Sequence, residues 1–314
     1  MEEKLISIVV PAYNEARNVE VLYDALAAEF ARLAYRWEVI FVDDGSTDDT
    51  LLRVKELASI HENVFFVEFS RNFGHQSALR AGMRMAAGQA VITMDADMQH
   101  PPRFVPSLIE AWADGYQVVY TLRAPDKRLG WFKRTSSDAF YGIFGSISQV
   151  KVDRGAADFR LLDRQVVDVI NSLGEADPFL RGLVKWVGFK QKALDYVPDV
   201  RFSGESKYQF RQMLNLALRG ITSFSERPLH LALWVGSLLA VASLLYLPYV
   251  IWALCTGHAM AGWASLILTV VFLGGVQLLI LGLVGLYIGK IFVQSKARPE
   301  YIVRSTNIKQ RIVV

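Results

Sequence analysis

Residues 229–254 and 263–289 contain no Asp, Glu, Lys or Arg, and this restricts the possible folds more than any other feature of the chain. A helix of roughly 20 apolar residues crosses the hydrocarbon core of a bilayer, so each run is long enough to span. A pair of buried core helices is the competing reading, but uncharged runs of this length are rare in soluble cores. The chain is 314 residues long and 52% hydrophobic, with a mean hydropathy of +0.24, and the excess is concentrated in these runs.

Charge is distributed around the same runs. Residues 201–227 carry +3, residues 290–314 carry +5 and residues 1–200 carry −5, giving the net +3. Basic segments beside apolar spans fit an anionic membrane surface, and an acidic globular part argues against nucleic acid as a partner. The intervening loop, residues 255–262, has no Lys or Arg. The positive-inside rule therefore places both flanking parts in the cytoplasm and this loop outside. Met1-Glu2-Glu3 is acidic and the apolar run after it is too short for a signal peptide, so a cytosolic start is expected. The single cysteine, Cys255, excludes an intramolecular disulfide and reads as an apolar filler. Gly274, Gly275, Gly282, Gly285 and Gly289 would let a second helix approach closely, in keeping with a homo-oligomer.

The expected organisation is a globular domain over 1–200, an amphipathic juxtamembrane segment over 201–227, two spans within 228–289 (about 229–254 and 263–289) and a basic cytosolic tail over 290–314. In the first part, short apolar runs alternate with helical patterns. Strands are predicted over 5–10, 37–42, 63–69, 90–94 and 117–122, with helices from 15 to 33, after Ser46 or Thr47 as N-cap, over 77–87 and over 102–113. Beyond residue 123, helices are expected over 131–145, 163–173 and 209–224, the last in the membrane interface, with strands over 157–162 and within 187–197. Such alternation predicts an α/β, doubly wound, mostly parallel sheet with its site at the carboxyl ends of the strands. Four polar clusters fall there: Pro11-Ala12-Tyr13-Asn14-Glu15, Asp43-Asp44-Gly45-Ser46, Arg71-Asn72-Phe73-Gly74-His75-Gln76 and Asp95-Ala96-Asp97. Neither a P-loop nor a Rossmann glycine fingerprint is present. Paired carboxylates at a strand end suit a hard divalent cation, Mg²⁺ or Mn²⁺, shared with a substrate's phosphates, although Asp-x-Asp by itself is also common in solvated turns. His75 and His100 read as loop or packing histidines.

These clusters, together with Asp95-Ala96-Asp97-Met98-Gln99, Ala157-Asp158-Phe159-Arg160-Leu161-Leu162 and Arg201-Phe202-Ser203-Gly204-Glu205-Ser206-Lys207-Tyr208, resemble inverting family-2 glycosyltransferases of the type-A nucleotide-sugar fold. More narrowly, Gly220-Ile221-Thr222-Ser223-Phe224-Ser225, Phe272-Leu273-Gly274-Gly275-Val276-Gln277 and Tyr287-Ile288-Gly289-Lys290 resemble the membrane-anchored bactoprenol (undecaprenyl-phosphate) glucosyltransferases, to which dolichol-phosphate mannose synthase is more distantly similar. The resemblance implies an enzyme of the inner (plasma) membrane with a cytoplasmic catalytic domain. It would transfer one sugar from a nucleotide-sugar donor, UDP-glucose before galactose, N-acetylhexosamine, mannose or a modified arabinose, to polyprenyl phosphate. It implies a nucleotide site at Pro11, Tyr13, Glu15, Asp43, Asp44, Ser46 and Asp95, with Asp43 also readable as structural and Glu15 as a helix-start acid. It implies a cation held by Asp97, Asp95 and Gln99, with Asp97 and Asp158 catalytic, Asp158 in the position of a base. Because most of a phosphate monoester is already deprotonated at neutral pH, Asp158 is expected to orient the acceptor more than to activate it. Arg123, Lys133, Arg134, Arg201 and Lys207 are the candidate partners of the acceptor or diphosphate, with Lys133 equally readable as a solvated cation. Two rivals remain: a processive polysaccharide synthase, which would carry a Gln-x-x-Arg-Trp element where this chain has Phe179 to Trp186, and an inactive membrane scaffold.

Overall fold

The computed structural model describes residues 4–123, 153, 155–175, 179–197, 226–256 and 262–309. The helices expected over 131–145 and 209–224, and Lys133, Arg134, Arg201 and Lys207, lie outside the described residues.

The first apolar runs form β1 (Leu5–Ala12), β2 (Arg36–Asp43), β3 (Val64–Phe69) and β4 (Ala90–Thr93). They alternate with α1 (Val19–Phe30), α2 (Thr50–Ile60) and α3 (His75–Met85). A single turn of tighter helix, Pro102–Phe104, leads into α4 (Val105–Ala113). There follow β5 (Val118–Arg123), β6 (Ala156–Asp163), α5 (Arg164–Ser172), α6 (Leu180–Trp186) and β7 (Gln191–Tyr196). Two long helices, α7 (Arg227–Cys255) and α8 (Trp263–Ser295), precede β8 (Val303–Thr306).

All eight strands belong to one sheet in the order β7-β5-β6-β4-β1-β2-β3-β8. Parallel pairing joins β1 to β2 and β4, β2 to β3, and β5 to β7. The alternation of strands and helices left β6 unplaced. It runs antiparallel between β4 and β5, with Thr93 opposite Arg160. An antiparallel neighbour begins where its partner ends, so the first residues of β6 lie beside the carboxyl end of β4.

Alternate strand residues supply two cores. On one face Ile6, Ile8, Val10, Val39 and Phe41 meet Leu22, Leu26 and Phe30 of α1, whose buried residues recur at helical spacing. On the other, Val9, Ile40 and Val42 meet Ala78, Leu79 and Met83 of α3 and Val166, Val167 and Ile170 of α5. Each fully buried side chain of this size contributes about 1.5–3 kcal/mol. A Cβ at Gly82 would stand 2.2 Å from Val9 Cγ1, so glycine is what lets α3 lie close against β1 and holds its first residues at the sheet's edge.

The structure differs from the sequence-based expectations in three local ways. Pro11 continues β1 rather than closing it, opposite Val42. Neither Ser46 nor Thr47 caps α2: Asp49 holds the N-cap position and the Thr50 amide donates to Asp48 Oδ1 at 3.0 Å. The basic segment after residue 290 is no simple tail. α8 runs on to Ser295, and β8 then adds antiparallel to the edge of β3. That edge is secured by side chains. Asn307 accepts from the Phe66 amide at 2.9 Å and donates to Val64 O at 3.1 Å, Ser305 donates to Glu68, and Tyr301 stacks on Phe69 at 5.0 Å. Behind them, Glu300 meets the fully buried Arg80 at 3.2 Å.

Among the described residues, 269–295 form the one stretch long and apolar enough to cross a membrane, with 227–242 a shorter apolar stretch. Val270, Val271, Phe272, Leu278, Leu279, Ile288 and Ile291 are all exposed. A continuous apolar surface of this length requires an apolar partner.

Candidate active site

The loops after β1 and β2 are tied together before they can serve a ligand. Asn14 adopts φ 59°, uncommon for a residue with a side chain, and accepts from the Thr47 amide at 2.8 Å while its own amide donates to Ser46 Oγ at 3.0 Å. The Glu15 amide donates to Thr50 Oγ1 at 2.7 Å, and Glu15 lies ahead of α1, outside its first turn. Asp43 accepts from the Ser46 amide at 3.3 Å. Asp44 accepts from the amides of Phe73 at 2.7 Å and Gly74 at 2.9 Å, joining the second loop to the third. Gly45 sits at φ 70°, where a Cβ would come within 2.6 Å of the Arg71 carbonyl carbon. Burial outweighs these hydrogen bonds and raises the pKa of both Asp43 and Asp44.

After β4 the chain turns sharply through Met98, at φ 66°. His100 closes the turn: its Nδ1 accepts from the Asp95 amide at 2.9 Å while its ring stacks on Phe159 at 5.1 Å. Asp97 Oδ1 accepts from the Gln99 amide at 3.1 Å. Asp95 Oδ1 is buried with no hydrogen-bond partner, and His75 Nε2 lies 3.5 Å from it. Two carboxylates, one with an unsatisfied oxygen, are a donor set that fits Mg²⁺ or Mn²⁺. Among the described residues no three His, Cys, Asp or Glu side chains are grouped to hold an ion unaided, so substrate oxygens would complete its coordination.

Facing this turn is Asp158, near the start of β6, with its carbonyl accepting from Thr93 Oγ1 at 2.6 Å. Its carboxylate is the most heavily contacted group in the cleft. Oδ1 accepts from Arg160 Nη2 at 2.7 Å and Arg181 Nε at 3.0 Å; Oδ2 accepts from Arg181 Nη2 at 2.8 Å and Gln76 Nε2 at 3.4 Å, with His75 Nε2 at 3.6 Å. Burial alone would raise its pKa, but Arg181, His75 and Arg160 together hold the carboxyl well below the usual carboxylate range. His75 moves the other way: burial lowers its pKa, and its neighbours Asp158 and Asp95 raise it overall.

A depressed carboxyl pKa stabilises the fold above the unfolded value, about 3.9, and that contribution fades only as pH falls through the lower folded value. The difference in Tm between the wild type and Asp158→Asn is therefore expected to shrink as pH falls below about 4, relative to its value at about pH 5. Thermal melts across that range test it.

Pro11, Tyr13, Glu15, Asp44, Asp95, Asp97 and Asp158 line a single cleft of about 540 Å³, with His75, Gln76, Phe179 and Arg181. Tyr13 is 43% exposed there, free to cover a flat ring. The cleft lining does not include Asp43, Ser46 or Gln99; the first two brace the loops and the Gln99 amide supports Asp97. Arg123 is exposed at the end of β5, near enough to Tyr196 to act on its phenol, which burial, the first cause, raises to about 12. His75, Arg160 and Arg181 were not anticipated as site residues. They reach Asp158 from three separate elements; the sequence placed His75 in the polar cluster after β3, Arg160 in the stretch Ala157 to Leu162 and Arg181 in Phe179 to Trp186, without showing that the three converge.

Residues 7–169 match the family described as Glycosyl transferase family 2. The chain is 42% identical over 301 residues to the uncharacterized glycosyltransferase YkcC of Bacillus subtilis (strain 168), covering 96% of this chain and 93% of that protein. It is 40% identical over 308 residues to a bactoprenol glucosyl transferase of Shigella phage SfV, covering 98% and 99%. Among solved structures, its fold is similar to that of the mannosyltransferase PcManGT from Pyrobaculum calidifontis in complex with GDP-Man and Mn2+, with a TM-score of 0.50 and 18% identity over 94% of this chain and 87% of that one.

Proposed function

The chain belongs to glycosyl transferase family 2 and is a glycosyltransferase, and from that premise we propose that it transfers one sugar, glucose from UDP-glucose, to polyprenyl phosphate with inversion at the anomeric carbon. The observation that carries the reading is the similarity to a bactoprenol glucosyl transferase over 98% of the chain, which takes in both apolar helices as well as the cleft. An enzyme with a soluble acceptor has no need of them.

The order of the sheet supports a layout for the reaction. The nucleoside would lie over the ends of β1 and β2, with the Tyr13 ring on the base and Glu15 and Asp44 accepting hydrogen bonds. The diphosphate would lie over β4, where Asp95 and Asp97 would hold a divalent cation that offsets negative charge on the leaving diphosphate. The sugar would then point towards β6 and Asp158. An acceptor phosphate oxygen attacks from that side, the bond from the anomeric carbon to the diphosphate breaks, and the nucleoside diphosphate leaves with the electron pair. Arg123, with Lys133, Arg134, Arg201 and Lys207, belongs to this reading as further partners of the anionic substrates.

In the same reading α7 and α8 both cross the inner membrane, the catalytic domain is cytoplasmic, and a second copy packs on the open face at Gly274, Gly275, Gly282 and Gly285, where a Cβ would meet nothing within 4 Å. The test is a panel of nucleotide sugars with the full chain, short-chain polyprenyl phosphate and Mg²⁺ or Mn²⁺. Lipid-linked glucose from UDP-glucose is the expected product. A preference for another donor would replace glucose, and transfer to no lipid from any donor would overturn the reading.

A further inference from the structure

We propose that Arg181 is an acceptor-binding residue, a guanidinium that engages the phosphate of the lipid acceptor, and that Asp158 is the positioning residue that holds it rather than a general base. The proposal rests on the polyprenyl-phosphate reading above.

The Asp158 carboxylate is saturated. A carboxylate offers about four acceptor positions. Here Arg160 Nη2, two nitrogens of Arg181 and Gln76 Nε2 fill them. A general base must present an open lone pair to the proton it takes, and this group could do so only by releasing a guanidinium. The Arg160 side chain is buried to 6% exposure, so the Asp158 charge is already committed to a cation that has no route to water. A phosphate acceptor, mostly deprotonated at neutral pH, supplies its own anionic oxygen and leaves little for a base to do.

The bidentate pair also fixes how Arg181 is presented to the cleft. One edge of the guanidinium, Nε and Nη2, lies against Asp158 at 3.0 and 2.8 Å, which fixes the plane of the group. The side chain still keeps 29% exposure and lines the cleft. A guanidinium fixed in this way is suited to phosphate oxygens, for which its planar fork has the matching geometry.

Sheet order separates the acceptor from the donor. In sheet order β2, β1, β4, β6, the nucleoside and diphosphate positions come first, and Asp158 with Arg181 lies beyond them. Attack with inversion requires the nucleophile on the side away from the leaving diphosphate. Gln294, at the end of α8, donates to the carbonyl of Gly174, in the connection between α5 and α6, so one apolar helix touches the segment that precedes Arg181. Arg80 holds the same connection through the carbonyls of Leu173 and, at 2.9 Å, Glu175.

The test measures initial rates with the full chain in lipid nanodiscs, varying polyprenyl phosphate and UDP-glucose separately, for the wild type, Arg181→Gln, Arg181→Lys and Asp158→Asn. Titration with UDP and Mn²⁺ checks that each variant retains a folded donor site. Arg181→Gln should raise the acceptor KM at least about tenfold with the donor KM changed by less than about twofold, and Arg181→Lys should recover part of the loss. Asp158→Asn should share the rise in acceptor KM and keep the acidic limb of the wild-type pH profile, the limb that a general base would set. Loss of donor affinity in Arg181→Gln would move the residue to the diphosphate and overturn the proposal. A fall in kcat of about 10³-fold or more in Asp158→Asn, with acceptor KM unchanged, would restore the base and overturn it equally. A wild-type chain that glycosylates no polyprenyl phosphate would overturn the function and this assignment together, whereas active wild type with either contrary variant result overturns this assignment alone.

Discussion

Asp97→Asn is expected to lower glycosyl transfer at saturating donor by about 10³-fold or more, the scale on which loss of electrostatic stabilisation at a leaving group is felt. The substitution keeps the size of the side chain and the oxygen that accepts from the Gln99 amide, so the turn through Met98 is retained and the melting temperature should move little. What it removes is one of the two charges proposed to hold the cation. Chelation of divalent cations should reproduce the loss in the wild type, and raising Mn²⁺ should recover activity there far more than in the variant. A variant within tenfold of wild-type turnover would show that the diphosphate is stabilised elsewhere, and the pairing of Asp95 with Asp97 would lose its place in the mechanism.

Glu300→Ala is expected to cost about 3–5 kcal/mol, because it leaves the buried Arg80 cation without its carboxylate. Among the described residues Arg80 would keep the carbonyls of Leu173 and Glu175 and the more distant Glu175 carboxylate, whose pKa it pulls down against burial, none of which replaces a carboxylate in direct contact. The loss should appear as a large drop in Tm, and Arg80→Met made together with Glu300→Ala should recover part of it, since an apolar pair leaves no orphaned charge. If the single change shifts Tm no more than an exposed glutamate would, the ion pair is not part of the stable core. Its position also predicts a functional effect: α3 carries Arg80 at its middle and His75 and Gln76 at its start, so disturbing the pair should reach Asp158.

Much of the fold is written locally. Each of the first four strands is a short apolar run followed at once by polar residues, and this alone locates Tyr13, Glu15, Asp44, Asp95 and Asp97 at one edge of the sheet. Three things are not local. β6 has the composition of any buried strand, and nothing within Ala156–Asp163 records that it enters antiparallel between β4 and β5, yet that insertion is what brings Asp158 to Asp95. His75 looks like the first residue of a helix, and its role comes from two carboxylates at positions 95 and 158. Arg181 lies on a helix of seven residues, too short for its periodicity to say which face meets the sheet. Asp43 and Ser46 show a related ambiguity: a polar residue at a strand end can serve a ligand or the neighbouring loop, and here the two accept from the Ser46 and Asn14 amides.

The position of β8 in the sheet has a consequence for biosynthesis. The ribosome releases both apolar helices before it releases Val303–Thr306, so the segment that closes the β3 edge emerges only after the chain has been offered to the bilayer. In topological terms the two helices are an excursion inserted between the seventh and eighth strands of a single fold. Cutting the chain before the first helix, to obtain the cleft in soluble form, would leave β3 bare and Arg80 unmatched, with an exposed edge open to pairing with other chains. Joining residue 226 to residue 299 through a flexible linker would keep the final strand in reach, and is the route by which a water-soluble form of this sheet would retain all eight of its strands.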